Sequence, residues 1–183
     1  MLTVTDALII VDVQNDFMPA GSLPVPDGDA AIPSVNQWIR VAGRGGALVA
    51  ASRDWHPADH LSFRENGGPW PAHCVKETRG AAFHPSLALP DDFLLVTKGD
   101  SSGLEQYSAF DATGLAEKLK SRGVIRIFVC GLALNVCVKA TVLDGVRLGF
   151  ETSVIMAGSR AIDKAAGQLA VDEMRLAGAA ILE

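Results

Sequence analysis

Short runs rich in aliphatic residues, separated by longer amphipathic segments, constrain the fold of this 183-residue chain more than any other feature. Ala7–Val13 (ALIIVDV), Ala47–Ser52, Phe93–Thr97, Ile125–Cys130 and Thr152–Met156 read as strands, and Ala179–Leu182 as a short last one. Continuous rather than alternating apolar runs suit parallel strands covered on both faces. The amphipathic segments predict helices near Ile32–Ala42, Asp111–Ser121, Asn135–Leu148 and Lys164–Leu176. Gly43, Gly123, Gly149 and Gly178 stand where helices should end. Strands and helices in alternation predict an α/β fold: a single-domain three-layer α/β/α sandwich, 1–183, with a mostly parallel, Rossmann-like sheet of about six strands.

In such sheets ligands bind beyond the carboxyl ends of the strands. Asp12 lies near the end of the first run, Asp54 follows the second, Lys98 the third, and Gly131–Cys137 the fourth. These groups should share one rim. The stretch 54–90 breaks the rhythm, with five prolines and little periodicity. An irregular segment of that length is usually functional.

Charge excludes some partners. Sixteen basic residues against twenty-one acidic ones leave a net charge of −5, with no basic cluster to neutralise phosphates. No apolar run is long enough to span a bilayer, and Met1–Val11 lacks the charged start of a secretory signal. A cytoplasmic protein with no nucleic-acid or membrane partner is expected. Cys74, Cys130 and Cys137 are an odd number, which argues against a disulfide framework.

The irregular stretch carries Asp54-Trp55-His56-Pro57-Ala58-Asp59-His60 and then Trp70-Pro71-Ala72-His73-Cys74. Asp54, His56, His60 and His73 offer one carboxylate and three imidazoles, a set that suits zinc, iron or manganese with positions left for water or substrate. Asp59 and Cys74 are further candidate ligands, although a turn cap and a packing role suit them better. His84, before Pro85, reads as structural.

Cys137 follows the fourth strand, with Asn135 as the expected N-cap of the next helix. A thiol in the first helical turn is favoured as thiolate, and free N–H groups there can bind an oxyanion. By itself Cys137 remains open between nucleophile and packing residue. Asp12 interrupts an apolar strand, and a buried carboxylate is costly unless paired or functional. With Lys98 as cation, Asp12 could accept the thiol proton and the thiol pKa would be held down. A structural ion pair at the sheet rim is the plainer alternative. Asp16 reads as a turn or helix cap.

In this order, DVQNDF (12–17), DWHPADH (54–60), WPAHC (70–74), KG (98–99), YSAF (107–110) and CGLALNVCV (130–138) resemble the nicotinamidase branch of the isochorismatase-like cysteine hydrolases. The resemblance spans Asp12 to about Met174. It implies a triad of Asp12, Lys98 and Cys137 and one divalent metal, zinc first and iron or manganese as alternatives, on Asp54, His56, His60 and His73. It implies a substrate pocket walled by Phe17, Trp70 and Tyr107, with Leu132 beside it. It also implies a cis Leu132–Ala133 bond and an oxyanion hole from the Ala133 and Cys137 N–H groups. The activity implied is hydrolysis of nicotinamide, with pyrazinamide as analogue, through a Cys137 thioester. Family members are monomers or larger assemblies, so a homo-oligomer stays open. Asn135 and Val136 depart from the residues often found there, and Val136 could change the pocket's width or polarity.

Three other readings compete. A sister hydrolase acting on another small amide or on isochorismate would generally lack the metal cluster. A non-catalytic binding domain would not need Asp12, Lys98 and Cys137. A metallohydrolase would use bound water and leave Cys137 a bystander.

Overall fold

A computed structural model describes residues 1–183. Six strands form one wholly parallel sheet: β1 (Asp6–Val11), β2 (Leu48–Asp54), β3 (Leu94–Lys98), β4 (Arg126–Leu132), β5 (Glu151–Arg160) and β6 (Ala180–Leu182). Their order is β3-β2-β1-β4-β5-β6. Four helices cover it: α1 (Ile32–Gly45), α2 (Leu115–Ser121), α3 (Lys139–Arg147) and α4 (Lys164–Leu176). This is the three-layer architecture expected from the alternating pattern.

The apolar runs are continuous because the sheet is buried on both sides. Every residue of β1 is buried. Ala7, Ile9 and Val11 join a core with Leu115, Leu119, Val142 and Met174 under α2, α3 and α4. Leu8 and Ile10 point the other way, into a core with Ile32, Val35 and Ile39 of α1. Helix α1 buries Ile32, Val35, Ile39 and Ala42, one stripe at helical spacing. At the lower edge of the sheet Arg126 donates to both carboxylate oxygens of Asp6 at 2.7 Å, tying β4 to β1.

Helix ends depart from the sequence reading in three places. Gly43 lies inside α1, and Gly46 (φ 69°) ends that helix. The segment 111–114 is a turn, and α2 begins after Gly114. Between β4 and α3, Leu134–Val138 forms a wide π-helical turn, closed by Val138 N–H donating to Ala133 O at 3.2 Å. Asn135 is therefore not a helix cap. Its side-chain oxygen instead accepts the N–H of Ile162, at 2.9 Å, from the chain leaving β5.

Strand order reverses between β1 and β4, since β2 and β3 lie to one side and β5 and β6 to the other. A crevice opens at such a switch point. Asp12 leaves β1 there, and Gly131 to Cys137 leaves β4.

Candidate active site

Register brings the strand-end residues together. Asp54 and Lys98 are direct partners across β2 and β3. Val11 pairs with Ser52 on one side and Gly131 on the other. Asp12 therefore sits between the ends of β2 and β4, with a left-handed backbone (φ 49°) that turns it out of the strand.

Lys98 is fully buried and is the hub. Its Nζ lies 2.8 Å from Asp12 Oδ2, donates to Asp54 Oδ1, and reaches Cys137 Sγ at 3.6 Å. Two carboxylates hold its pKa well above the ordinary lysine value, against a burial effect that would lower it. Asp12 Oδ1 accepts the Ser52 hydroxyl at 2.7 Å. Its Oδ2 lies against the Lys98 ammonium as a close ion pair. Burial raises the Asp12 carboxyl from 3.8 to about 6; Lys98 opposes the rise and Asp54 adds to it. Burial would also raise Asp54, but Lys98 and His56 outweigh it and hold that carboxyl well below the usual carboxylate range.

One expectation is reversed here. Burial drives the Cys137 thiol well above 9, and Asp12 and Asp54 add to that, whereas only Lys98 opposes. The Lys98 charge is already shared between two carboxylates. These surroundings favour the protonated form of the thiol. A carboxylate oxygen from each of Asp12 and Asp54 and Cys137 Sγ lie within 4.8 Å of one another, so the acceptor is at hand. Cys130, seven residues earlier, is pushed up to about 12 by burial alone.

Beside this group the irregular stretch brings in Asp54, His56 and His73, whose candidate ligand atoms also lie within 4.8 Å of one another. His56 Nδ1 donates to Gly99 O at 2.9 Å. His73 Nδ1 donates to Pro71 O at 2.8 Å. A carbonyl can only accept, so both rings carry their proton on Nδ1 and offer Nε2 as a lone pair, the form a metal needs. Three buried donors of this kind fit a divalent ion with positions left over.

His60 stands apart from that set, although its ring lies 4.1 Å from that of His56. Its Nε2 faces the Leu104 carbonyl at 3.1 Å, and its Nδ1 accepts the Ser62 N–H at 3.3 Å. This is the opposite tautomer, with both nitrogens occupied. The four-ligand expectation thus meets a three-residue cluster. Asp59 accepts the Ser102 hydroxyl, Cys74 is buried and free, and His84 Nδ1 accepts the Ser86 N–H within a turn.

Two residues of the DVQNDF segment brace the site from a distance. Gln14 is fully buried. Its Oε1 accepts the Asp54 N–H and its Nε2 donates to Asp54 O and Ala81 O, each at 2.8 Å. Asp16, expected as a local cap, accepts the Cys74 N–H at 2.7 Å and so anchors the loop that presents His73. A Cβ at Gly80 would lie 2.1 Å from its carboxylate, so that approach needs a glycine.

Above these groups lies a cavity with about 560 Å³ of empty space, its open mouth included. Phe17, Trp70 and Tyr107 line it, as do Asp54, His56, His73, Ala133, Val136 and Cys137. Trp70 Nε1 donates to Tyr107 Oη at 3.2 Å across the cavity wall. The Leu132–Ala133 bond is cis. Leu132 does not reach the cavity. It is fully buried in the core beneath α1, with Gly28 beside it. Leu23, Pro24, Val25, Glu105, Gln106 and Ile162 also line the cavity and were not foreseen. Ile162 follows the end of β5, so the strand-end rule could have found it, whereas Leu23–Val25 carries no local signal. Burial raises the Glu105 carboxyl.

The isochorismatase domain family matches residues 6–183. The chain is 38% identical over 179 residues to the nicotinamidase of Acinetobacter baylyi, covering 86% of this chain and 82% of that one. The pyrazinamidase of Pyrococcus horikoshii, solved in complex with zinc, is 46% identical with a TM-score of 0.95, covering 98% of this chain and 99% of that one. PnC1 from L. infantum, solved in complex with nicotinate, is 38% identical with a TM-score of 0.92, covering 100% of this chain and 95% of that one. From its fold, its site and these likenesses together, the chain belongs to the isochorismatase family, in the company of nicotinamidases and pyrazinamidases.

Proposed function

We propose that this chain is a metal-dependent cysteine amidohydrolase that converts nicotinamide to nicotinate and ammonia, with pyrazinamide as an analogue substrate. The observation that carries this reading is one cavity that brings a thiol and three metal-type donors under aromatic walls, with a buried carboxylate and lysine directly behind the thiol. A zinc-bound pyrazinamidase and a nicotinate-bound relative, both above one-third identity, support the same substrate class. Zinc is the proposed ion, on Asp54, His56 and His73. When bound it supplies an electrophilic anchor for a ring nitrogen lone pair.

The chain's own groups do the chemistry. Phe17, Trp70 and Tyr107 hold the ring and exclude water. Asp12 Oδ2 takes the Cys137 proton as Sγ attacks the amide carbon. Lys98 stays charged throughout and steadies Asp12 in its ionised form. The N–H groups of Ala133 and Cys137, on the cavity wall, receive the oxyanion. Asp12 returns its proton to the amide nitrogen, the C–N bond breaks, and ammonia leaves a Cys137 thioester. Water, deprotonated by Asp12, then cleaves the thioester, and the thiol and the free acid result.

We propose the cytoplasm as its location, because all three cysteines are buried and free, as suits a reducing compartment. The reading is tested by ammonia release from nicotinamide, pyrazinamide and benzamide, before and after chelation and before and after thiol alkylation. Nicotinamide and pyrazinamide should be turned over, benzamide far more slowly, and both treatments should stop the reaction. Activity that survives alkylation would point instead to attack by metal-bound water.

A further inference from the structure

The most buried polar side chain between Gly99 and Tyr107 is Gln106, 5% exposed. Both ends of its amide are bound to backbone. Oε1 accepts the Gly99 N–H at 2.8 Å, and Nε2 donates to the Asp111 carbonyl. The two contacts need opposite atoms, so the amide has one orientation.

Gly99 matters because of what its other side does. It follows Lys98 at the end of β3, an edge strand, and its N–H is taken by Gln106 rather than by a ladder partner. Its carbonyl accepts the Nδ1 proton of His56. Its backbone is left-handed (φ 65°), and a Cβ there would lie 2.3 Å from His56 Cε1. The imidazole edge carrying Nδ1 and Cε1 therefore lies close against Gly99, and the Gly99 carbonyl it meets sets its tautomer. His60 shows the alternative. It meets another carbonyl of the same loop, Leu104 O, through Nε2, and so has no lone pair on that nitrogen.

We propose that Gln106 is a positioning residue for the metal site: by clamping Gly99 it aims the carbonyl that keeps His56 protonated on Nδ1, with Nε2 free as a ligand. This rests on the metal reading above. The carbonyl partners of ligand histidines commonly account for 10–100-fold in metal affinity or activity, and Gln106 acts further out, through the Gly99 backbone that joins its N–H to that carbonyl.

The test uses the full chain with its metal removed. Gln106→Met keeps the volume and removes both hydrogen bonds. Gln106→Glu keeps an acceptor for the Gly99 N–H. Zinc affinity is measured by competition with a chelating dye, and the His56 tautomer by imidazole nitrogen NMR of the metal-free protein. Gln106→Met should bind zinc roughly tenfold more weakly and show a mixed His56 tautomer, with Gln106→Glu within about threefold of the parent and still Nδ1-protonated. If Gln106→Met does not fold, Gln106→Asn, too short to reach Gly99, is read by the same criteria. Parental zinc affinity or an unchanged tautomer in the Met (or Asn) variant overturns the proposal, and so do equal losses in that variant and Gln106→Glu. His56→Ala is the separate control. Zinc affinity unchanged in that variant would sink the ligand assignment itself and leave the tautomer to judge Gln106 alone.

Discussion

The site has two halves, and they are held by different means. Asp12, Asp54, Lys98 and Cys137 stand on or just beyond strand ends, where ladder register sets their separation, as in the direct Asp54–Lys98 pair. His56 and His73 stand in the irregular stretch, where backbone pairing shrinks to the isolated His56–Val75 bridge, and their rings are each aimed by one side-chain-to-backbone bond, His56 to Gly99 and His73 to Pro71, with Asp16 holding the loop at Cys74. A ladder distributes its load over many bonds, so one substitution shifts it little. A loop held by a few bonds can lose its geometry with one of them. Asp54 belongs to both halves, as a strand-end partner of Lys98 and as a metal-type donor; apart from it, the strand-end half should respond to mutation through chemistry, and the loop half through metal affinity.

The largest effect should come from the nucleophile. Cys137→Ala should lower kcat/KM for nicotinamide by about 10⁴-fold or more, with zinc affinity near the parental value. Cys130→Ala, in the same strand-to-helix segment, should leave kcat/KM within about threefold, since Cys130 lies buried in the core beneath α1. Comparable losses in the two variants would break the division between chemistry and packing.

Asp12→Asn should follow, with kcat/KM down about 10³-fold, the scale of a lost general base. Single-turnover rates would locate that loss in acylation. An equal fall in zinc affinity would mean that the two halves are not separable.

The loop half is sharpened by its histidines. His56→Ala should weaken zinc binding by roughly 100-fold, whereas His60→Ala should weaken it only a few-fold, because His60 directs its Nε2 proton at Leu104 O. Dye competition on metal-free protein measures both. Equal losses would restore the four-ligand set that the sequence suggested.

The smallest and most graded effect is that of pH. Asp12 must be ionised to accept the thiol proton, and burial raises its carboxyl to about 6. The base form is lost as pH falls through that value, and kcat/KM should fall about tenfold per unit once pH drops well below 6. A profile flat down to pH 5 would argue against Asp12 in this role.

Much of this was legible in the chain itself. A carboxylate in an apolar strand (Asp12) and a lysine closing another (Lys98) mark strand ends because burial makes such groups costly without partners. The density of histidine in 54–90 marked the loop half for the same reason of chemistry. Cys137 was found by its position after the fourth strand; the helix-start and lysine effects on its thiol were visible there, and the desolvation that opposes them was not. Gln14, Asp16 and Gln106 went unrecognised because each acts on backbone that lies elsewhere in the chain, from 5 to 67 residues away.

By itself the sequence determined the alternation of strand and helix, the two-sided burial of the sheet, and the kinds of chemical group at its rim. These follow from periodicity and transfer free energy, which are local. Only the tertiary structure decided that three imidazoles divide into two with Nε2 free and one without, that Asn135 braces Ile162 rather than a helix start, and that Leu132 turns into the core. Those outcomes depend on which carbonyl or N–H arrives from a distant segment, and a hydrogen bond is directional over less than an ångström. No local pattern encodes that arrival.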